Sequence, residues 1–250
     1  MNTLLTLKHV TVGYNHLPIL KNVDFTVTDR DFIGMIGPNG GGKTTLLKTM
    51  LGLLSPFEGK VYYAPELRKG KRIGYLPQSS KIDKKFPISV EETILSGLMP
   101  DGKRIFMRRF TNEERSKVHK LLKWAGMEAY GATAIGQLSG GQQQKVLLCR
   151  AIIANPELLI LDEPNTYVDN KFEGELYEML KELNERMAIV MVSHDIGTIT
   201  SYVKSIACVN RSLHHHHSNR ITETQLAAYD CPIQLITHGR VPHTVLEKHE

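Results

Sequence analysis

One stretch near the start of the chain decides its fold: Ile36-Gly37-Pro38-Asn39-Gly40-Gly41-Gly42-Lys43-Thr44. An apolar run, residues 32–36, precedes it, and a helix-forming run, residues 45–51, follows it. Glycines lack a Cβ, so a strand, turn and helix of this kind lets backbone N–H groups curl around a polyphosphate at the positive end of the helix. The spacing fits the P-loop pattern, in which Lys43 reaches the β- and γ-phosphates and the Thr44 hydroxyl binds Mg²⁺. We therefore predict a nucleotide-binding α/β domain.

Length and composition agree with a globular α/β protein. The 250 residues suit one domain with an inserted lobe, and 41% apolar residues are enough for a sizeable core. Three cysteines, Cys149, Cys208 and Cys231, form no close pair, which favours reduced thiols and a cytosolic setting. The N-terminal residues show no signal pattern, and no apolar run approaches the length of a membrane span. We expect a chain that does not cross a membrane by itself but can dock on a protein that does.

The net charge of +5 permits more than one interpretation. An excess of positive charge can serve nucleic acid or an anionic membrane surface. Basic residues cluster at 69–72, 81–85 and 103–109, but no aromatic residues alternate with them. We therefore favour charges that solvate the surface, with proximity to a membrane as the second interpretation, and expect no nucleic-acid partner.

A change of pattern marks an insertion after the first strands. Residues 4–36 predict β structure, whereas residues 79–136 contain two capping boxes, beginning at Ser89 and Thr111, that predict helix starts. The second of these helices carries one apolar stripe and stops at Gly126. The expected fold class is α/β, with a P-loop core, a mostly parallel sheet, an antiparallel β subdomain and a helical subdomain inserted at 79–136.

Two further motifs follow the insertion. Ser139, Gly140 and Gly141 open a predicted helix that runs to about residue 154, a second helix start suited to an anion. The unbroken apolar run of residues 158–161 then predicts a buried parallel strand that ends at Asp162 and Glu163. Beside a P-loop, Asp162 can hold Mg²⁺ through water and Glu163 can polarise a water molecule. The alternative is a pair of carboxylates that caps the next turn.

Other strand ends carry polar side chains as well. Gln78 follows a predicted strand that begins at residue 72 and is stopped by Pro77, and His194 follows a predicted strand at 188–192. Functional side chains of α/β folds gather at the carboxyl ends of parallel strands. Tyr14, which precedes the P-loop, could stack on a purine, but a core or strand-end tyrosine is an equally good interpretation.

Together these motifs resemble the nucleotide-binding subunits of ATP-binding-cassette (ABC) transporters, over residues 4 to about 210. Leu138-Ser139-Gly140-Gly141-Gln142 matches the family's signature motif without a change. Gln78 matches the Q-loop glutamine, His194 the switch histidine, and Tyr14 the adenine-stacking aromatic. The D-loop departs in part, because Asn165-Thr166-Tyr167-Val168-Asp169 replaces the commoner Thr-Ser/Gly-x-Leu-Asp.

The resemblance implies the ABC ATPase fold, with ATP and Mg²⁺ held between the P-loop of one subunit and the signature motif of a second copy in a head-to-tail homodimer. It implies catalysis by Glu163 as general base or water orienter, assisted by three more residues: His194, Gln78 and Lys43. The implied Mg²⁺ ligands are Thr44, Gln78 and Asp162. The implied nucleotide contacts are Tyr14, Gly37, Pro38, Asn39, Gly40, Gly41, Gly42, Lys43, Thr44, Thr45, Ser139, Gly140, Gly141, Gln142 and Asp169.

The predicted C-terminal tail, 211–250, narrows the resemblance to importers of the zinc and manganese type. That type implies separate integral membrane permease subunits, a metal-binding solute-binding protein, and a peripheral position on the cytoplasmic face of the inner membrane. The cargo would be a divalent transition metal, with zinc first and manganese, an iron chelate or another solute as alternatives.

A soluble ABC ATPase that acts on nucleic acid is disfavoured by the single cassette. A regulatory module without hydrolysis is disfavoured by intact Lys43, Asp162, Glu163 and His194.

The run His214–His217 has two interpretations. Neutral imidazoles bind Zn²⁺, and an extended segment can present alternate residues on one side. A structural zinc site, however, takes four ligands in fixed geometry. We therefore expect an exposed loop here, followed by a short helix near residue 222.

Overall fold

The structure is a computed structural model that describes residues 1–68, 73–78, 87–99, 109–164, 170–219, 233–236 and 243–246, with backbone alone for residues 170, 171, 196 and the last two segments. The strands are β1 (Thr3–Tyr14), β2 (Leu17–Thr28), β3 (Phe32–Ile36), β4 (Glu58–Tyr63), β5 (Gly74–Leu76), β6 (Leu158–Asp162), β7 (Ala188–Val192), β8 (Ser205–Asn210), β9 (Ser212–His216), β10 (Ile233–Ile236) and β11 (His243–Leu246). The α-helices are α1 (Lys43–Met50), α2 (Pro65–Arg68), α3 (Val90–Leu95), α4 (Asn112–Trp124), α5 (Gly140–Ile152), α6 (Asn170–Asn184) and α7 (Ile196–Ile199).

A six-stranded sheet forms the centre, in the order β5-β6-β7-β3-β8-β9. The first five of these strands run parallel, and β9 pairs antiparallel with β8. Every residue of β3, β6 and β7 is buried, as expected for strands with apolar side chains on both faces. The predicted parallel sheet is confirmed, and its strand ends are directed to a common edge.

A second sheet covers one face of the centre. Its strands β2, β1 and β4 are antiparallel in the order β2-β1-β4, and their apolar side chains share one core with α1 and the central sheet. Helices α5 and α6 contribute to the core on the opposite face. The prediction of β structure from residue 4 to residue 36 is confirmed.

The described residues between 79 and 136 form α3, α4 and three short 3₁₀ turns. Both capping boxes are present: Ser89 caps α3 together with Glu92, and Thr111 caps α4 together with Glu114. Helix α4 stops before Gly126, which takes a left-handed φ of 66°. The apolar faces of α3 and α4 pack with α5 into a core of their own. Across the parts of the chain that the structure describes, no helix has the length and apolarity needed to span a membrane.

The histidine run differs from the expected loop. His214, His215 and His216 lie in β9 and are partly buried, because β9 closes the edge of the central sheet. His215 bonds the Ser205 hydroxyl at 2.9 Å, and its ring lies edge-on to Phe25. The expectation of an exposed loop is therefore wrong for these three residues.

Some sequence expectations cannot be compared with the structure. Residues 69–72, 81–85 and 103–108, the helix near residue 222, and Asp169 lie outside the described residues. Residues 212–216 fall within the predicted tail, yet they belong to the central sheet through β9. Beyond them, β10 and β11 form an antiparallel pair, and β11 contacts α7.

Candidate functional site

The P-loop connects the end of β3 to the start of α1. Gly37, Gly40 and Gly42 take positive φ angles of 147°, 76° and 105°, which disfavour residues with a Cβ. Gly42 is the N-cap of α1, and a Cβ there would meet the Leu20 side chain at 2.7 Å. The glycines are therefore required by geometry, and the loop they form leads into a helix N-terminus.

Lys43 is buried against this loop. The residue is 6% exposed, and its ammonium donates to the carbonyls of Gly37 at 2.8 Å and Pro38 at 2.9 Å. These bonds hold the positive charge within the turn of the loop, where the sequence predicts phosphate groups.

Asp162 and Thr44 meet at the end of β6. The Thr44 hydroxyl donates to Asp162 Oδ2 at 3.4 Å, and Asp162 is 2% exposed. Burial, with the nearby Glu163 carboxylate as a second cause, raises the pKa of Asp162. Within the described part of the chain, Asp162 Oδ1 is buried without a hydrogen-bond partner, which is costly for a carboxylate oxygen. Mg²⁺ is bound by oxygen ligands, and a hydroxyl beside an unsatisfied carboxylate oxygen provides two of them. These residues therefore fit the predicted ion.

Glu163 takes a backbone conformation that is rare for its residue type. Its φ is 50°, in the left-handed region, and its N–H donates to the Val192 carbonyl at 3.2 Å. The carboxylate accepts a hydrogen bond from Gln78 Nε2 at 2.6 Å and contacts His194 Nε2. The structure therefore brings three predicted catalytic side chains together, each from a different strand end. A strained residue held by its neighbours is common at active sites.

A short turn positions His194. The Asp195 N–H donates to the Ser193 hydroxyl at 3.0 Å, and the Asp195 carboxylate accepts from the Thr198 N–H at 3.1 Å at the start of α7. The His194 side chain is 41% exposed, against 14% for Glu163. The imidazole therefore contacts the glutamate on one side and remains open to an approaching group.

Tyr14 ends β1 and lies on the surface. The residue is 40% exposed, and Lys48 Nζ is 5.6 Å from its ring centroid and 3.4 Å from its hydroxyl. Since Lys48 belongs to α1, the ring lies on the same side of the sheet as the P-loop helix. This position excludes a core tyrosine and agrees with a strand-end tyrosine, and stacking on a purine stays a prediction.

The predicted signature motif lies at the start of α5. Ser139 caps this helix in a capping box with Gln142, and both Ser139 and Gly140 are exposed. Among the described residues, the hydrogen bonds of Ser139 join it to Gln142 and Gln143 and not to the P-loop. Within one copy of the chain, no hydrogen bond of Ser139 in the described part therefore joins the signature motif to the phosphate loop.

Sequence reasoning missed Gln144. The residue is 2% exposed, and its side-chain amide donates to the carbonyl of Pro164, directly after Glu163, at 2.6 Å. The available signal was its position four residues before the buried Leu148, on the apolar face of α5. A polar side chain on that face needs a partner, but three consecutive glutamines at 142–144 hide which one is buried.

Comparison with known sequences gives one consistent result. A family model described as ABC transporter matches residues 20–166. A probable metal transport system ATP-binding protein of Thermotoga maritima is 39% identical over 215 residues, which cover 85% of this chain and 84% of that protein. The high-affinity zinc uptake system ATP-binding protein ZnuC of Bacillus subtilis is 38% identical over 213 residues, which cover 83% of this chain and 91% of that protein.

Solved structures share the fold. A metal-chelate type ABC transporter in an inward-facing conformation superposes with a TM-score of 0.81 at 23% identity, covering 99% of this chain and 98% of that chain. A dimeric ATP-binding cassette in a post-hydrolysis state with ADP and phosphate superposes with a TM-score of 0.71 at 27% identity, covering 87% of this chain and all 100% of that one.

Proposed function

Since this chain belongs to the ABC transporter family, we propose that it is the ATP-hydrolysing subunit of an importer for a divalent transition metal, with zinc as the cargo. The chain is an ATPase of this family. The observation that carries the assignment is the cluster of Gln78, Glu163 and His194 at one edge of a P-loop sheet.

In this proposal the P-loop and Lys43 bind the phosphates of ATP. Backbone N–H groups at the start of α1 face the anion, and the Lys43 ammonium exchanges its carbonyl contacts for charge-assisted bonds to phosphate oxygens. Thr44 and Asp162 would hold Mg²⁺, with Gln78 as the third predicted ligand, and the ion would neutralise phosphate charge. Tyr14 would stack on the adenine.

Glu163 would then orient and deprotonate the attacking water. Its carboxylate is partly buried, so a water molecule bound there faces fewer competing solvent contacts. Gln78 donates to one carboxylate oxygen and fixes its direction, while His194 lies on the other oxygen and can approach the γ-phosphate. General-base assistance of this kind contributes about 10²–10⁴-fold to a rate.

A second copy of the chain would complete the site. Ser139 and Gly140 are exposed at a helix N-terminus, which offers partial positive charge to an anion from outside. In a head-to-tail homodimer, Ser139, Gly140, Gly141 and Gln142 of one copy would contact the γ-phosphate held by the other, and Asp169 would lie at the same interface. The solved cassette that is dimeric with ADP and phosphate supports a dimeric assembly.

The partners follow from the proposed transport. Integral membrane permease subunits would form the pore, and a metal-binding solute-binding protein would deliver the cargo to them. The chain would then act as a peripheral subunit at the cytoplasmic face of the inner membrane. Zinc is favoured as cargo because relatives from Bacillus subtilis, Listeria innocua and Hydrogenovibrio crunogenus are zinc uptake or zinc import ATP-binding proteins.

The test is the metal content of cells that lack this protein, measured by elemental analysis. Cells restored with the wild type are compared with cells restored with Glu163→Gln protein. A fall in zinc that only the wild type reverses supports the proposal. A fall in manganese or iron instead overturns zinc as the cargo, and unchanged metal content overturns metal import altogether.

A further inference from the structure

Gln144 connects the helix of the signature motif to the residue that follows Glu163. It is the fifth residue of α5, the helix that Ser139 caps. Its side-chain amide donates to the Pro164 carbonyl at 2.6 Å, and both residues are buried. A short hydrogen bond in a buried setting is strong, because water does not compete for either group.

This bond acts on a backbone that is already constrained from the other side. Asp162 is paired with Val192 across the parallel strands, and the Glu163 N–H donates to the Val192 carbonyl at 3.2 Å. Between these contacts, Glu163 holds a left-handed φ of 50°. Such a conformation is rare for a residue with a Cβ, and it persists only when neighbouring bonds determine it.

We infer that Gln144 is a positioning residue for ATP hydrolysis, which fixes the backbone of Glu163 and connects its orientation to the position of the signature helix. The inference rests on the proposed function, because it concerns the same hydrolytic site. A shift of α5 is transmitted to the Pro164 carbonyl through one side chain. The glutamate therefore takes its working orientation only when the signature helix is in place.

The neighbouring residue on α5 offers a matched control. Lys145 also ties α5 to another element, but its ammonium bonds Glu175 of α6 at 2.8 Å rather than the segment after β6. Removing either contact costs the helix one hydrogen bond. Only the loss of the Gln144 bond releases the backbone next to Glu163.

The experiment compares Gln144→Met with Lys145→Met in the purified full chain with ATP and Mg²⁺. Methionine keeps the length of the side chain and removes the donor. We expect kcat of Gln144→Met to fall by about 10-fold or more, since small displacements of a catalytic group are costly, with the Kd for ATP within about twofold of the wild type. Lys145→Met should keep the wild-type kcat.

A third variant, Gln144→Glu, tests the donor itself. A protonated carboxyl group can donate to the Pro164 carbonyl, whereas a carboxylate cannot, and burial favours the protonated form. The ratio of its kcat to that of the wild type should therefore rise as the pH falls, while the same ratio for Gln144→Met stays flat. If circular dichroism shows that Gln144→Met does not fold, the pH dependence of kcat for Gln144→Glu relative to the wild type tests the inference.

The outcomes separate this inference from the proposed function. If the wild-type chain hydrolyses ATP and the Gln144→Met variant has the same kcat, the inference is overturned and the proposed function is not. The same holds if kcat and ATP affinity fall together, or if the Gln144→Glu ratio does not change with pH. A wild-type chain that hydrolyses no ATP overturns the proposed function and this inference with it.

Discussion

Gln78 and Glu163 are 85 residues apart in the chain, yet Gln78 Nε2 donates to Glu163 Oε2 at 2.6 Å. The contact exists because β5 and β6 are adjacent and parallel, so their ends lie side by side. The amide fixes one oxygen of the carboxylate and turns the other towards His194. A base held in this way needs little reorganisation when it takes a proton.

Replacing Glu163 by Gln should separate binding from turnover. The amide keeps the size of the side chain but cannot accept a proton from water, so turnover should fall by about 10²–10⁴-fold while ATP affinity is retained. Steady-state phosphate release and ATP titration measure the two quantities. Glu128→Gln is the control, because Glu128 is exposed and is not one of the predicted site residues, so its replacement should leave turnover unchanged. Normal turnover in the Glu163 variant would remove this residue from the mechanism.

Replacing Lys43 by Ala should weaken nucleotide binding itself. The variant loses a buried ammonium that is held within the phosphate loop, and charge-assisted bonds to phosphate are among the stronger hydrogen bonds. We expect the Kd for ATP to rise by about 10-fold or more, as measured by calorimetric titration, since each lost bond of this kind is worth about 1.5–3 kcal/mol. The control is Lys181→Ala on the exposed face of α6. Equal affinities in the two variants would contradict the phosphate-loop assignment.

Replacing Asp162 by Asn should stabilise the chain without ligand and weaken its response to Mg²⁺. Burial and the Glu163 carboxylate raise the pKa of Asp162, so its ionised form opposes folding at neutral pH, and a neutral amide removes that cost. We expect the Tm in EDTA to rise by about 2–4 °C for each kcal/mol recovered. The gain in ATP affinity on adding Mg²⁺ should shrink in the same variant.

Asp24→Asn serves as the control for this pair of measurements, because the Asp24 side chain is 55% exposed. It should change neither the Tm nor the effect of Mg²⁺. An Asp162→Asn chain that gains as much ATP affinity from Mg²⁺ as the wild type would rule out Asp162 as a ligand of the ion.

Acid should weaken the edge of the central sheet through His215. Burial, with the neighbouring His217 as the second cause, lowers the pKa of His215 from 6.5 to about 4. In the unfolded chain His215 therefore binds a proton below about pH 6.5, whereas in the folded chain it binds one only below about pH 4. Because the unfolded state binds more protons within this window, the free energy of unfolding decreases as the pH falls through it. After allowance for partial exposure, we expect a loss of about 1 kcal/mol between pH 7 and pH 5.

The comparison for this prediction is His215→Gln, which does not titrate but keeps a hydrogen-bonding group near Ser205. Urea unfolding at the two pH values gives the free energies. The wild type should lose more stability than the variant on acidification. Equal losses would show that another group causes the effect.

Much of this site could be predicted from local patterns. The P-loop spacing places Lys43 and Thr44 at a helix start, and unbroken apolar runs identify β6 and β7 as buried parallel strands. Parallel strands present their carboxyl ends at one edge. These rules are local or nearly so, and the chain follows them.

Other features depend on neighbours that are distant in sequence. Nothing local shows that His215 would pack against Phe25 in the neighbouring sheet, so an isolated histidine run resembles a loop. Nor does a run of three glutamines show that the last of them points inward to Pro164. The left-handed φ of Glu163 is likewise set by strand neighbours and not by the residue's own preference.

The placement of β9 also determines how far the chain can be shortened from its C-terminus. Strand β9 pairs with the outer side of β8 and so satisfies the backbone hydrogen-bonding groups on that side. Strand β8 itself is buried at every position but its last. A truncation after residue 219 keeps that pairing, whereas a truncation after residue 210 leaves a buried, apolar strand as a bare edge, the kind of surface on which chains join and aggregate. A shortened version of this chain should therefore retain β9, the strand that contains His214, His215 and His216.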